Sequence, residues 1–166
     1  MTVQTTLQLG TETSTVLCTQ DGHVVLQQEL PLGTSSLARQ WMRHTPPTPL
    51  DIEHAIEQTE DVVMPLAAKL ARTEQLQLSG SGAALILQGV GAEPDAGLHW
   101  NLDEVEDLFN RIAMVSQGRP IGHEALPTAP EFYAAMVIVR ECLHHLRFGE
   151  VVVGSQPYAT GRMRQG

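Results

Sequence analysis

The chain has 166 residues, of which 42% are hydrophobic and only 4% aromatic, and its formal net charge is −9. This length and composition fit a single globular domain, 1–166, with a core of aliphatic side chains. An acidic surface repels phosphate backbones, so no binding to nucleic acid is expected. No apolar run approaches the roughly 18 residues of a membrane-spanning helix, so no membrane association is expected.

The two cysteines, Cys18 and Cys142, lie far apart in the sequence on apolar segments. Isolated cysteines of this kind are typical of a reducing compartment, where they pack as small hydrophobic side chains. The first residues have no basic region followed by an apolar stretch, which a signal peptide would show. We therefore expect a cytoplasmic protein in which both thiols are buried.

Three strands are predicted first, at residues 5–9, 14–19 and 23–30, because these segments are short and rich in β-branched residues. Asp21-Gly22 between the second and third strands is a strong signal for a two-residue hairpin. Both connections are too short for a parallel crossover. The segment therefore predicts a three-stranded antiparallel meander.

Two helices are predicted next, on either side of a proline-rich break at residues 45–49. Thr48 can cap the second helix, and Asp51 at its third position nearly completes a capping box. Pro65 lies inside the apolar pattern of this helix and should kink or restart it.

A fourth strand is predicted at residues 74–78, followed by the turn Ser79-Gly80-Ser81-Gly82 and a helix. A strand, a turn of small residues and a helix N-terminus together form a natural site for an anion, since the first N–H groups of the helix are free. Close packing of strand and helix explains the glycines equally well.

The rest of the chain predicts two longer helices, at 102–115 and 130–146, and a fifth strand at 150–155. Asn101 and Glu104 form a capping box for the first of these helices. The element order predicts an α/β domain with a ribonuclease H-like fold. We expect a mixed five-stranded sheet, made of the antiparallel meander and two further strands, flanked by helices.

Several segments resemble the second domain of the exopolyphosphatase/guanosine-pentaphosphatase (Ppx/GppA) family, which belongs to the sugar kinase, Hsp70 and actin superfamily. Residues 7–16 resemble the family's Asp-Ile-Gly-Gly-Gly-Ser-Thr-Glu hairpin, and Pro31-Leu32-Gly33 resembles its Pro-Leu-Gly segment. Residues 79–83 resemble the Gly-Gly-Thr-Ala turn. Residues 151–155 and 163–166 resemble the closing strand and the Gly-Leu-Arg-Glu-Gly motif. The chain thus looks like a degenerate, stand-alone copy of this domain.

The resemblance implies phosphate binding through two glycine-bearing turns and the C-terminal segment. The candidate phosphate-binding residues are Gly10, Thr11, Thr13, Ser14, Gly80, Ser81, Gly82 and Arg164. If binding is retained, the implied cofactor and ligand are Mg²⁺ with a nucleotide or polyphosphate.

The chain also departs from the family pattern. Gln8 stands where the hairpin has its Asp, Thr11 and Glu12 replace glycines, and Ser36 replaces an Arg. The family's first domain, which supplies another phosphate loop and a catalytic glutamate, has no counterpart in these residues. Glu12 is the one acid in the glycine turns, and it is therefore the single catalytic candidate.

Two kinds of metal chemistry are not expected. Nucleases with a ribonuclease H-like fold bind two metal ions through acids on the first and fourth strands, where this chain has Gln8 and Leu78-Ser79. His144 and His145 follow Glu141, but adjacent side chains on a helix point about 100° apart and no zinc-ligand spacing is present. We expect these histidines to interact with the terminal carbonyls of their helix.

Two functions are compatible with this sequence. The first is a non-catalytic binding or assembly module, whose exposed domain face is covered by a homodimer or by another protein partner. The second is a phosphatase or nucleotide or polyphosphate hydrolase, completed by homodimerisation or by a separate first-domain protein. A fragment of a longer protein is a third interpretation.

Overall fold

The computed structural model describes residues 2–93 and 97–154. The strands in these residues are β1 (Val3–Gln8), β2 (Ser14–Gln20), β3 (His23–Leu30), β4 (Gln75–Ser79), β5 (Leu98–Asn101) and β6 (Glu150–Val153). The helices are α1 (Thr34–Trp41), α2 (Pro49–Val63), α3 (Ser81–Gly89), α4 (Leu102–Ser116), α5 (Ile121–Glu124) and α6 (Pro130–Leu146). A 3₁₀ turn, Met64–Ala68, follows α2.

The strands form one mixed sheet in the order β3-β2-β1-β4-β6-β5. The antiparallel meander β1-β2-β3 is confirmed, and β4 lies parallel to both β1 and β6. The α/β class and the mixed sheet are therefore as predicted, but the sheet has six strands rather than five. The additional strand is β5, which pairs antiparallel with β6. The sequence predicted no strand at its residues, of which Asn101 alone was assigned, as the cap of the following helix.

The two faces of the sheet differ in burial. On one face, the side chains are apolar and at most 2% exposed: Leu7, Val16, Leu76, Leu78, Val151 and Val153. On the opposite face the alternate side chains are mainly polar and half-buried: Gln4, Gln8, Thr15, Thr19, Gln75, Gln77 and Val152. This alternation is typical of a sheet whose core lies on one side.

Helix α6 is the central element of the helical layer. It contacts α1, α2, α3 and α4, and twelve of its 17 residues are buried. A helix that is apolar on every side must be enclosed by other elements. Cys142 lies on this helix, and burial raises the pKa of its thiol to about 12. Both cysteines are buried and unpaired, as expected.

The starts of α2 and α4 follow the predicted caps. The Oγ1 of Thr48 accepts a hydrogen bond from the Asp51 N–H (3.1 Å), and the Oδ2 of Asp51 accepts one from the Thr48 N–H (3.1 Å). Asn101 and Glu104 form the same reciprocal pair at the start of α4, with both distances 2.9 Å. Helix α2 ends at Val63, two residues before Pro65, which lies in the 3₁₀ turn.

Large exposed hydrophobic side chains are divided among several elements. Val24 and Val25 lie on β3, Leu50 lies on α2, Met64 lies in the 3₁₀ turn and Met114 lies on α4. Within residues 2–93 and 97–154, no helix combines the length and the hydropathy needed to cross a membrane.

Asp51, at the N-terminus of α2, is expected to make the stability of the fold depend on pH. Burial alone would raise the pKa of Asp51, but hydrogen bonds from Thr48 and His44 hold that pKa below its usual range. A carboxyl whose pKa is lower in the folded than in the unfolded state stabilises the fold above the unfolded pKa. This contribution is lost as the pH falls through the folded pKa.

We expect Asp51→Asn to lower the free energy of unfolding by about 1 kcal/mol at pH 7, because the charged cap is lost. The difference from the wild type should shrink as the pH falls below about 4. Urea denaturation at pH 7, 5 and 3 measures this, with the exposed Asp61→Asn on the same helix as the control. An equal difference at pH 7 and pH 3 would contradict the assigned role.

Candidate functional site

The hairpin that connects β1 and β2 is held together by Ser14. The Ser14 side chain is buried. Its Oγ accepts a hydrogen bond from the Gly10 N–H (3.2 Å) and donates one to the Leu32 carbonyl (2.7 Å). Both capacities of the hydroxyl are thus used inside the fold. Ser14, a phosphate-binding candidate, joins the hairpin to the segment that leads into α1.

The N-terminus of α1 is capped by the same hairpin. The Thr34 N–H donates to the Gly10 carbonyl (2.9 Å), and the Ser35 and Ser36 N–H groups donate to the Thr11 carbonyl (2.8 and 3.1 Å). A helix N-terminus binds anions through its first free N–H groups. Here three of those groups are bonded to backbone oxygens of the hairpin.

Glu12 points from the hairpin toward α1. Its carboxylate makes two hydrogen bonds with the Arg39 guanidinium, at 2.7 and 3.3 Å, and both side chains are largely exposed. The hydrogen bond from Arg39 lowers the pKa of Glu12. A carboxylate with a lowered pKa is a weaker general base, so this ion pair reduces the suitability of Glu12 for catalysis.

A second carboxylate, which the sequence analysis missed, lies beside the hairpin. The Thr13 hydroxyl donates a hydrogen bond to the Oε2 of Glu29, at 3.1 Å. Glu29 is on β3, and the antiparallel register that pairs Thr15 with Glu29 could have located it. Glu12 and Glu29 place two negative charges next to the turn, and Arg39 offsets one of them. This charge balance opposes the binding of phosphate.

The second turn is joined to the first through Leu9. The Leu9 N–H donates to the Ser79 carbonyl (2.9 Å), and the Leu9 carbonyl accepts from the Gly82 N–H (2.8 Å). Gly80 has φ +90°, and a Cβ there would lie 2.8 Å from the Leu9 oxygen. A Cβ on Gly82 would overlap the Leu9 side chain. Both glycines are therefore needed for the close approach of β1 to the start of α3.

One polar group in this turn has no partner. The Ser79 side chain is 2% exposed, and its Oγ makes no hydrogen bond within the described part of the chain. Ser81 is the first residue of α3 and is exposed. An unpaired buried hydroxyl costs stability, so Ser79 is the feature of this turn that internal packing does not explain.

The structure thus brings most of the phosphate-binding candidates to the carboxyl ends of β1 and β4, with Leu9 between the two turns. Arg164, the remaining candidate, lies outside the described residues. The two turns are next to one another because β1 and β4 are parallel neighbours whose register pairs Gln8 with Ser79.

The histidines at the end of α6 do not make the expected contacts with terminal carbonyls. The Nε2 of His144 faces the Glu106 carboxylate, and the Nε2 of His145 lies between carboxylates of Glu60 and Glu141. The two rings point to different partners, as their adjacent positions on the helix predicted. Glu60 is on α2, and no local pattern in the sequence connects it with α6.

No protein-family model matches the sequence, and no curated protein matches it. The fold is similar to the crystal structure of the Aquifex aeolicus Ppx/GppA phosphatase in its type II variant, with TM-score 0.73 and 13% identity over 93% of this chain and 53% of that chain. A second structure of the Aquifex aeolicus family member gives TM-score 0.71 and 15% identity, covering 93% and 52%. An exopolyphosphatase from Cytophaga hutchinsonii ATCC 33406 gives 0.63 and 16%, covering 92% and 53%.

The chain spans about half the length of these solved structures. Its fold is therefore that of a half-length domain of Ppx/GppA structures, and the predicted resemblance and fold class are confirmed. The assignment to the second domain, and the extent 1–166 as a single domain, stay predictions.

A substitution at Gly82 tests whether the glycines of the second turn are needed for packing. We expect Gly82→Ala to lower the free energy of unfolding by about 1–3 kcal/mol, because the added methyl group forces Leu9 and β1 away from α3. Gly122→Ala is the matched control, since a Cβ there meets nothing within 4 Å. Chemical denaturation of both variants measures the difference, and equal effects would contradict the packing role.

Proposed function

We propose that this chain is a non-catalytic binding or assembly module with the half-length fold of a Ppx/GppA phosphatase. The observation that supports it best is the closed hairpin turn. Ser14 bonds the Gly10 N–H and the Leu32 carbonyl, and the carbonyls of the turn accept from the first N–H groups of α1. The Glu12 carboxylate is paired with Arg39. The Gly10 N–H, the Ser14 hydroxyl and the first N–H groups of α1 are thereby used in the fold itself.

The groups that a phosphoanhydride hydrolase needs for catalysis are poorly matched by the residues at this turn. Such a reaction needs positioned phosphates, a cation to offset their charge and a group that orients the attacking water. Gln8, which stands where the resemblance implies Asp, lies between Thr15 and Ser79 in the sheet. An amide neither binds Mg²⁺ as strongly as a carboxylate nor accepts a proton at neutral pH.

Self-association through β3 is the assembly mode that the exposed residues support. β3 is an outer strand of the sheet and has eight residues. Val24 and Val25 on it are 58% and 55% exposed. An outer strand with exposed valines and no lysine or proline is a ready partner for another strand. Two copies can pair their β3 strands antiparallel about a two-fold axis. The buried, unpaired thiols support a reducing compartment, the cytoplasm, for this module.

The test is the oligomeric state of the full chain by light scattering across a concentration series. We expect a concentration-dependent dimer that Val25→Lys converts to monomer, since the added charge opposes pairing of the two strands. Met114→Lys, which removes an exposed hydrophobic side chain on α4, should leave the dimer unchanged. A wild-type monomer at all concentrations would refute self-association.

A second candidate function is supported by the turn before α3. The unpaired Ser79 hydroxyl lies beside Gly80 at the N-terminus of a helix, where an anion is stabilised. In this alternative, the chain is part of a phosphatase or of a nucleotide or polyphosphate hydrolase that uses Mg²⁺. A second copy or a separate first-domain protein completes its site, and this agrees with a chain that spans about half of the solved structures.

A thermal-shift titration with ATP, GTP, ADP, pyrophosphate and polyphosphate, with and without Mg²⁺, separates the two functions. We expect no saturable shift in melting temperature and no phosphate release. A ligand that binds at 100 times its dissociation constant would add about 2.7 kcal/mol to the free energy of unfolding. Ser79→Ala should leave the stability equal or higher, because it removes an unpaired buried hydroxyl. A saturable shift that Ser79→Ala abolishes would support the second function instead.

A further inference from the structure

Three potential metal ligands converge at the C-terminal end of α6. Glu141 and His145 are four residues apart on this helix, and Glu60 approaches them from α2. The Nε2 of His145 lies 3.0 Å from the Oε2 of Glu60 and 3.2 Å from the Oε1 of Glu141. One ligand atom from each residue lies within 4.8 Å of the others. We call these residues the Glu60–Glu141–His145 cluster.

The cluster is separate from the glycine turns. α6 ends just before β6, whose first residue, Glu150, pairs with Gln75 at the start of β4. The cluster is therefore close to the amino ends of the parallel strands, whereas the glycine turns follow the carboxyl ends of β1 and β4. A ligand at one end does not share residues with a ligand at the other.

Two of the three separations between the ligand atoms are close to those around a tetrahedral ion. Zn–N and Zn–O bonds of about 2.0–2.1 Å place tetrahedral ligand atoms about 3.3–3.4 Å apart. The two measured distances from His145 Nε2 are within a few tenths of an ångström of that separation. Three protein ligands leave a fourth position for water.

Arg140 orients the buried ligand. Its Nη1 donates to the Oε2 of Glu141 at 3.0 Å, which leaves the Oε1 of that carboxylate directed to His145. Arg140 is itself fixed by an ion pair with Glu106 (3.1 Å) and by the Phe109 ring, whose centroid is 4.4 Å from the guanidinium carbon. Such outer contacts hold metal ligands in a binding geometry.

The charges of the cluster are incompletely balanced by the protein. Glu141 is 3% exposed, and its Oε2 is paired with Arg140, whereas its Oε1 and the Glu60 carboxylate both face the His145 ring. A single imidazole N–H lies between two carboxylates and cannot point directly at both. A divalent cation would bond to all three ligand atoms at once and offset both negative charges.

From this geometry we propose that Glu60, Glu141 and His145 bind one divalent transition-metal ion, of which Zn²⁺ is the best match, and so cross-link α2 to α6. Two carboxylates with one imidazole suit Zn²⁺ or a neighbouring transition metal. Mg²⁺ and Ca²⁺ prefer larger sets of oxygen ligands. In this proposal the ion holds α2 against α6, and the proposal departs from the expectation of no metal site in the sequence analysis.

The first experiment is calorimetric titration of the chelator-treated full chain with Zn²⁺, and with Mg²⁺ for comparison. We expect one Zn²⁺ per chain, a saturable rise in melting temperature and no response to Mg²⁺ in the same concentration range. Co²⁺ in place of Zn²⁺ should give the intense visible absorption of a four-coordinate site. Failure to bind Zn²⁺, or binding without a rise in melting temperature, would overturn the proposal.

Matched variants locate the ion. His145→Gln and Glu60→Gln should weaken Zn²⁺ binding by more than about ten-fold, because each removes a ligand. His144→Gln is the control, since His144 is the adjacent histidine and contacts Glu106 instead. Circular dichroism shows whether each variant is folded. If His145→Gln does not fold, Glu60→Gln decides the outcome. Binding that survives both ligand substitutions, or that His144→Gln weakens equally, would place the ion elsewhere and refute the proposal.

Discussion

The burial of α6 is the constraint on which the rest of the structure depends. One face of the sheet is apolar, and α6 contacts four of the other helices. Because it is apolar nearly all round, those helices have to enclose it in order to remove its surface from water. Gly89 on α3 shows how close this packing is, since a Cβ there would overlap the Phe132 ring. The positions of α2 and α3, and thereby of both candidate sites, follow from their contacts with α6.

The glycine turns show that one residue pattern can serve two purposes. A phosphate-binding turn uses glycine so that the backbone can approach a ligand closely. In this chain Gly80 and Gly82 allow the same close approach, but the neighbour is Leu9, the residue that follows β1. The glycine pattern therefore indicates a close approach of another group to the backbone. The hydrogen bonds around the turn show whether that group is a ligand or a part of the protein itself.

Local signals in the sequence predicted most of the elements. Asp21-Gly22 located the hairpin between β2 and β3, and the capping boxes at Thr48 and Asn101 located the starts of α2 and α4. These signals act within four residues, so they can be recognised without the fold. β5 was missed because it has four residues and is stabilised by pairing with β6, about fifty residues later in the chain.

The candidate sites were predicted less completely for the same reason. The turns themselves were located from their glycines, but Arg39 lies 27 residues from its partner Glu12. Glu60 lies 85 residues from His145. The spacing of Glu141 and His145 on one helix was visible in the sequence, yet a pair of ligands is too few to indicate a metal. The third ligand is supplied by the packing of α2 on α6, which no local pattern encodes.

The two ends of the sheet differ in the kind of group that would bind a ligand. At the carboxyl ends of β1 and β4, binding would depend mainly on backbone N–H groups, and carbonyls of the same chain can satisfy these when a turn shifts slightly. At the amino ends of β4 and β6, the converging groups are two carboxylates and an imidazole. No carbonyl can offset carboxylate charge, and Arg140 reaches only one of the two. Internal hydrogen bonds can thus close the first kind of site but not the second.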